Sequence, residues 1–209
     1  MFDDFYGPSS TSGEITGFGW AVNGGTITLK APEDNSPGIG MLRNASAAAI
    51  STLYTGSPAN GFAFILGDLK TIIFRSAFTT GASVPDKRVG LMMSAVNSAP
   101  ADDGVYFECL AADTNWFAVT RDGATTNHTR TDTGIAFSAN TFLTFRIEHT
   151  APSTWAFYIN DVLKATHGAA QNPPAEAQGV FIFGQVVTTG TANMDQMHDY
   201  VAFRVNPVR

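Results

Sequence analysis

Cysteine, charge, long apolar runs and helical periodicity are all scarce in this chain, and each shortage excludes something. Of the 209 residues only Cys109 is a cysteine, so no disulfide can form within the chain, and folding in a reducing compartment is expected. Charged residues make up 14%, against about 25% in an average domain, which leaves a surface of Thr, Ser, Asn, Ala and Gly. Twelve Lys and Arg stand against eighteen Asp and Glu, a net charge of −6. The cations are scattered, so the basic stripe of a nucleic-acid binder is missing. No run reaches the roughly 20 apolar residues that a membrane span needs, and no membrane partner is expected. The opening MFDDFYGPSS carries acids where a secretory leader would carry a basic and then an apolar stretch, so no leader is expected.

What the chain does contain is period-two alternation punctuated by Gly, Pro, Asn and Asp, the mark of many short antiparallel strands. In FLTFRIEH, Leu143, Phe145 and Ile147 alternate with Thr144, Arg146 and Glu148, giving one buried and one wetted face. WAFYIN repeats the comb with Trp155, Phe157 and Ile159, and Asn160-Asp161 then predicts a tight turn into VLKATH, because both residue types tolerate positive φ. TIIFRSAF, RVGLMMSA, GVYFECLA, NWFAVTRD, VFIFGQVV and DYVAFRV are further strand candidates. The Ala-rich NASAAAISTLYTGSP at 44–58 has no charged face and is read as strand. No linker or internal repeat interrupts the pattern, so residues 1–209 are read as one all-β domain. About ten or more strands imply a two-sheet sandwich, because an open sheet that wide curls or splits.

The order of several segments carries a resemblance: an opening DDF (Asp3 to Phe5), GVYFE (Gly104 to Glu108), NWFAVTRDG (Asn115 to Gly123), TDTGIAF (Thr131 to Phe137), NTFLTFRIEH, WAFYINDVLKATH and a closing DYVAFRV (Asp199 to Val205). This series resembles the concanavalin A-like jelly-roll domains of tailed-bacteriophage structural proteins, most closely from Gly104 to His167. It departs from them at Asp161, where a glycine often follows the turn asparagine. The resemblance implies an antiparallel jelly-roll sandwich with the FDDF segment beside DYVAFRV. It further implies a virion component, a capsid decoration or cement protein bound to the major capsid protein and forming a homo-oligomer. The alternative it leaves open is a glycan-binding module of a head or tail fibre that attaches to a host glycan.

Catalytic chemistry finds little purchase. Glycoside hydrolysis generally needs two carboxyl groups roughly 5–9.5 Å apart, and concanavalin A-like glucanases set theirs in an E-x-D-x-x-E motif that is missing here. The five glutamates, Glu14, Glu33, Glu108, Glu148 and Glu176, are far apart in sequence, and Asp195 and Asp199 would stand roughly 13 Å apart on an extended strand. No enzymatic activity is therefore expected. Cys109 shares the side of Val105 and Phe107 and is read as core. His128, His149, His167 and His198 lack metal spacing and are read as surface residues. Asp102 and Asp103 with Asn97, or Asp113 with Asn115, offer oxygen ligands for Ca2+, but without an alternating D-x-D-x-D array they read as solvated turns, and no cofactor is expected. The sequons at Asn44 and Asn127 would matter only on a eukaryotic secretory route.

Trp116 and Trp155 lie on apolar combs and are assigned to the core. Tyr106 and Tyr158 lie on the opposite combs and are candidate glycan or interface contacts, since an aromatic ring offers an apolar face with a polar handle. Thr129, Arg130 and Thr131 join them, because the Thr-rich strand would pave an outer face with neutral hydroxyls. Threonine favours extended backbone, and its hydroxyl binds across an interface without requiring a charge to be desolvated.

Overall fold

Each alternating segment read from the sequence lies on a strand of the computed structural model, which describes residues 64–79, 85–93, 103–123, 127–187 and 194–205 together with strands at 2–3, 14–15, 20–23, 26–29, 40–44 and 50–55. In chain order the first strands are β1 Phe2–Asp3, β2 Glu14–Ile15, β3 Trp20–Asn23, β4 Thr26–Leu29, β5 Gly40–Asn44, β6 Ile50–Thr55, β7 Phe64–Ile65 and β8 Leu69–Phe78. They are followed by β9 Asp86–Met92, β10 Gly104–Cys109, β11 Asn115–Arg121, β12 His128–Ala136, β13 Leu143–Ala151, β14 Thr154–Ile159, β15 Val162–His167, β16 Gly179–Val187 and β17 Met194–Val205. The described helical residues form two single 3-10 turns, Leu66–Asp68 and Ala169–Gln171, and no described helix is long and apolar enough to cross a membrane.

The strands form two antiparallel sheets. The β17 sheet runs β15-β14-β13-β8-β17-β5-β4, with β1 also paired to β17; the β16 sheet runs β12-β11-β10-β9-β16-β6-β3-β2, with β7 also paired to β16. The expected pairing of the two ends is present, with Phe2 opposite Ala202 and Asp3 opposite Val201. The β14–β15 hairpin turns at Asn160 and Asp161, whose φ angles of 50° and 63° are both left-handed, the backbone that a two-residue type I′ turn demands. Asn160 also ties the turn to β13. Its Oδ1 accepts from the Thr144 N–H at 2.9 Å, and its own N–H donates to the Thr144 carbonyl at 2.8 Å.

Between the sheets the apolar combs meet as the alternation predicts. Phe107 of the β16 sheet packs against Phe145 and Phe157 of the β17 sheet, with centroids 5.1 and 5.4 Å away, and Trp116 meets Phe145 at 4.7 Å. Such aromatic pairs contribute about 0.5–1.5 kcal/mol each beyond their area burial. Cys109, Trp116 and Trp155 are all in this core. Gly90, at φ 154°, sits where β9 and β10 approach so closely that a Cβ would lie 2.5 Å from the Tyr106 Cα.

Three expectations are corrected by the packing. His149, His167 and His198 are buried, and of the four histidines only His128 is exposed. His167, on the inward side of edge strand β15, reaches the other sheet. The Thr120 hydroxyl donates to the Gln171 carbonyl, so His167 Nδ1–H donates to Thr120 Oγ1 at 2.9 Å, and Nε2 accepts from the Thr131 hydroxyl at 2.9 Å. Second, the hydroxyls of the Thr-rich strand are largely spent internally, since Thr133 donates to the Trp116 carbonyl at 2.7 Å and Thr129 accepts from Asn172 at 3.4 Å. Third, the outer face of the β16 sheet is largely buried over β9, β10 and β16. Tyr54, Met92, Tyr106, Val119, Phe181 and Phe183 form a second buried apolar cluster there.

Candidate functional site

Strand parity decides which side chains reach the outer face of the β17 sheet. One cross-strand row is Tyr158, Arg146, Ile73 and Ala202, from β14, β13, β8 and β17; the next places Glu148, Thr71 and Arg204 side by side. Small or short residues at 71, 73 and 202 form a low floor flanked by longer Glu148 and Arg204. The result is an open trough of about 280 Å³ lined by Thr71, Ile73, Glu148, Ala202, Phe203 and Arg204.

The trough stays open because Arg146 is drawn away from it. Its guanidinium lies 3.8 Å from the centre of the Tyr158 ring, bonds to Glu148 and stands 3.5 Å from Asp161. A guanidinium on an aromatic face is attracted by the ring quadrupole, so Arg146 leans toward β14 and leaves Ile73 uncovered. Burial, and then the negative charge of Glu148, raise the Tyr158 hydroxyl pKa. Further along the same face Arg75 bonds to Asp199 and covers the Phe142 ring at 4.8 Å. Arg204 is exposed and, among the described residues, has no carboxylate partner.

The residues singled out in sequence scatter over the molecule. Tyr158 lies two strands from the trough floor, with one ring face under Arg146. Tyr106, expected on the surface, is 1% exposed, and burial pushes its hydroxyl pKa up to about 12. Arg130 lies over the Phe117 ring at 3.9 Å and bridges Glu108 at 2.5 Å to Asp113. Glu108 also accepts from Arg88 at 3.2 Å, and Arg88 reaches Gln185 at 3.3 Å. Thr129 and Thr131 make the inward bonds described above. The trough residues Thr71, Ile73 and Arg204 were not singled out. The only signal for them was that β8 and the DYVAFRV strand alternate, which fixes a face but not that the two strands are neighbours.

The calcium candidates divide. Asn97 and Asp102 lie outside the described residues. Asp103 accepts from the Gly123 N–H, Asp113 is taken by Arg130 and by the Leu110 N–H at 2.8 Å, and Asn115 donates to Asp132 at 3.0 Å. Among the described residues no three His, Cys, Asp or Glu side chains converge to hold a metal ion. One further cluster joins separate elements: His149 stacks on Trp155 at 4.5 Å, accepts from Lys70 at 3.3 Å and donates to Glu176 at 3.0 Å, while Ser153 N–H donates to the same carboxylate oxygen.

Several solved structures share this architecture. A glycoside hydrolase family 16 endo-glucanase from Bacteroides ovatus is similar over 97% of this chain and 99% of its own, at 9% identity and a TM-score of 0.63. The Emp47p carbohydrate recognition domain is similar over 98% and 94%, at 10% identity and a TM-score of 0.62. The protein of unknown function SO2946 from Shewanella oneidensis MR-1 is similar over 91% and 80%, at 16% identity and a TM-score of 0.60. No curated protein matches the chain. At these identities the likeness is one of fold, a concanavalin A-like jelly roll.

Two expectations change with these findings. The expectation that the chain is not an enzyme is overturned, because the fold it adopts is that of family 16 glycoside hydrolases. Nothing in the comparisons points to a phage virion, and the terms of the expectation that survive are the jelly-roll sandwich and the carbohydrate alternative. Residues 35–198 match the family model described as SO2946-like, C-terminal domain, and the chain belongs to that family.

Proposed function

We propose that this chain is a carbohydrate-binding jelly roll that holds a glycan in the trough of the β17 sheet. The observation that carries the reading is the trough itself, a concave site with an apolar floor at Ile73 and Ala202 and polar groups at Thr71, Glu148 and Arg204. Sugars present an apolar face ringed by hydroxyls, and a pocket of mostly apolar lining with a few placed polar groups matches that chemistry. The glucanase and the carbohydrate-recognition domain with which the chain shares its fold support the same reading. The capsid-decoration reading was implied by the resemblance, and the hydroxyl-paved exterior that would have served it is reduced by the inward bonds of Thr129, Thr131 and Thr133.

The test is calorimetric titration of the chain with neutral and acidic oligosaccharides, beside an Ile73→Trp variant whose ring fills the floor. Saturable binding that I73W abolishes, with thermal unfolding unchanged within a few degrees, is the expected result. Binding that survives I73W would move the site elsewhere and defeat the proposal. Reducing-end release measured in the same mixtures reports whether binding is followed by cleavage.

A further inference from the structure

We infer that the sugar in this trough carries a carboxylate, and that Arg204 holds it. This rests on the carbohydrate reading above and specifies the ligand class. The inference comes from an imbalance of charge on one face. Among the described residues, three arginines rise from the outer side of the β17 sheet. Arg146 is matched by Glu148, and Arg75 by Asp199. Arg204 is unmatched among the described residues, and it stands at the trough wall directly beside Thr71, its cross-strand neighbour.

Glu148 does not supply the missing anion. Its carboxylate bonds to Arg146, which is itself drawn toward the Tyr158 ring. That leaves the trough with one uncompensated cation in a chain whose net charge is −6. A neutral sugar needs only hydroxyl partners, and Thr71 with the free lone pairs of Glu148 already provides them. The guanidinium adds a planar fork whose two parallel N–H groups fit a carboxylate bidentately. A hexuronate lying across the floor would place its ring on Ile73 and Ala202, its hydroxyls toward Thr71 and Glu148, and its carboxylate on Arg204.

The experiment titrates the full chain with an oligogalacturonate and with the same oligosaccharide after carboxyl reduction, at low salt and at 0.5 M salt, for the parent, Arg204→Gln and Arg204→Lys. Arg204 is exposed, and thermal unfolding of each variant checks that the sandwich is intact. The uronate is expected to bind the parent at least tenfold more tightly than its reduced form, with that preference shrinking in salt. R204Q should erase the preference, and R204K should restore part of it. Equal or tighter binding of the reduced form by the parent, or a preference that persists in R204Q, overturns the uronate assignment and leaves the carbohydrate reading standing. Failure of both sugars to bind the parent overturns the uronate assignment, while the carbohydrate reading falls only if the wider set of neutral and acidic oligosaccharides also fails to bind.

Discussion

Replacing Glu108 by leucine removes the anion that two arginines share, and the loss can be worked from the geometry. The Glu108 side chain is 5% exposed and that of Arg88 is 3% exposed, so the variant strands a guanidinium with little access to water. Breaking a buried ion pair by removing one partner costs about 3–5 kcal/mol. Arg88 keeps Gln185 at 3.3 Å and Asp86 at 3.4 Å, both long for charge-assisted bonds, which puts the expected loss at the low end, about 3 kcal/mol. Arg130 adds little, because it retains Asp113 and the Phe117 ring. With a urea m-value of about 2–3 kcal/mol per M, the unfolding midpoint should fall by about 1–1.5 M. The companion Arg88→Met/Glu108→Leu removes both charges and should recover most of the loss, since apolar replacements of a buried pair are often neutral. The reasoning fails if Glu108→Leu unfolds within about 0.3 M of the parent, or if the double variant is no better than the single one.

Burial depresses the pKa of His167 to about 4 and that of His198 to about 3, whereas the unfolded chain titrates them near 6.5. Both are neutral in either state above that value. Between about pH 6 and 4 the unfolded state therefore binds up to two more protons, and stability falls by about 2–3 kcal/mol per pH unit. His167→Gln should roughly halve that slope in urea melts run from pH 7 to 4.5. Gly90→Ala should be severely destabilising, by more than about 3 kcal/mol, because the new Cβ meets the Tyr106 Cα at 2.5 Å and backbone cannot step aside. Gly134→Ala, at φ 68° with nothing within 4 Å, should cost only about 1–2 kcal/mol of left-handed strain. Differential scanning calorimetry of the pair separates collision from conformation. Asp161→Gly relieves a φ of 63° in the β14–β15 turn and should change stability by less than about 1 kcal/mol, in the stabilising direction if turn strain dominates chain entropy.

Alternation was enough to place the strands, the Asn160-Asp161 hairpin and the inward stations of Trp116, Trp155 and Cys109, because a strand's parity is local. It was not enough to say what each outer comb meets. All six residues of GVYFEC are buried, so Tyr106 and Glu108 are enclosed although their parity is opposite to Phe107, Tyr106 among apolar neighbours and Glu108 between two arginines. The histidines were misread for a related reason. Their hydrogen-bond partners are distant in sequence, Thr120 for His167 and Ser76 for His198, and no local pattern announces such a bond. The trough was invisible because its floor joins β8 to β17, strands separated by more than a hundred residues.

That separation also shapes how the molecule is assembled. β17 pairs with β8 on one side and with β5 and β1 on the other, so it is the keystone of its sheet. Until residues 194–205 are in place, β4–β5 and β8–β13–β14–β15 are detached ribbons with raw edges, vulnerable to pairing with other chains. Long-range strand closure of this kind is slow, and the trough floor between Thr71 and Arg204 exists only once β17 has paired with β8.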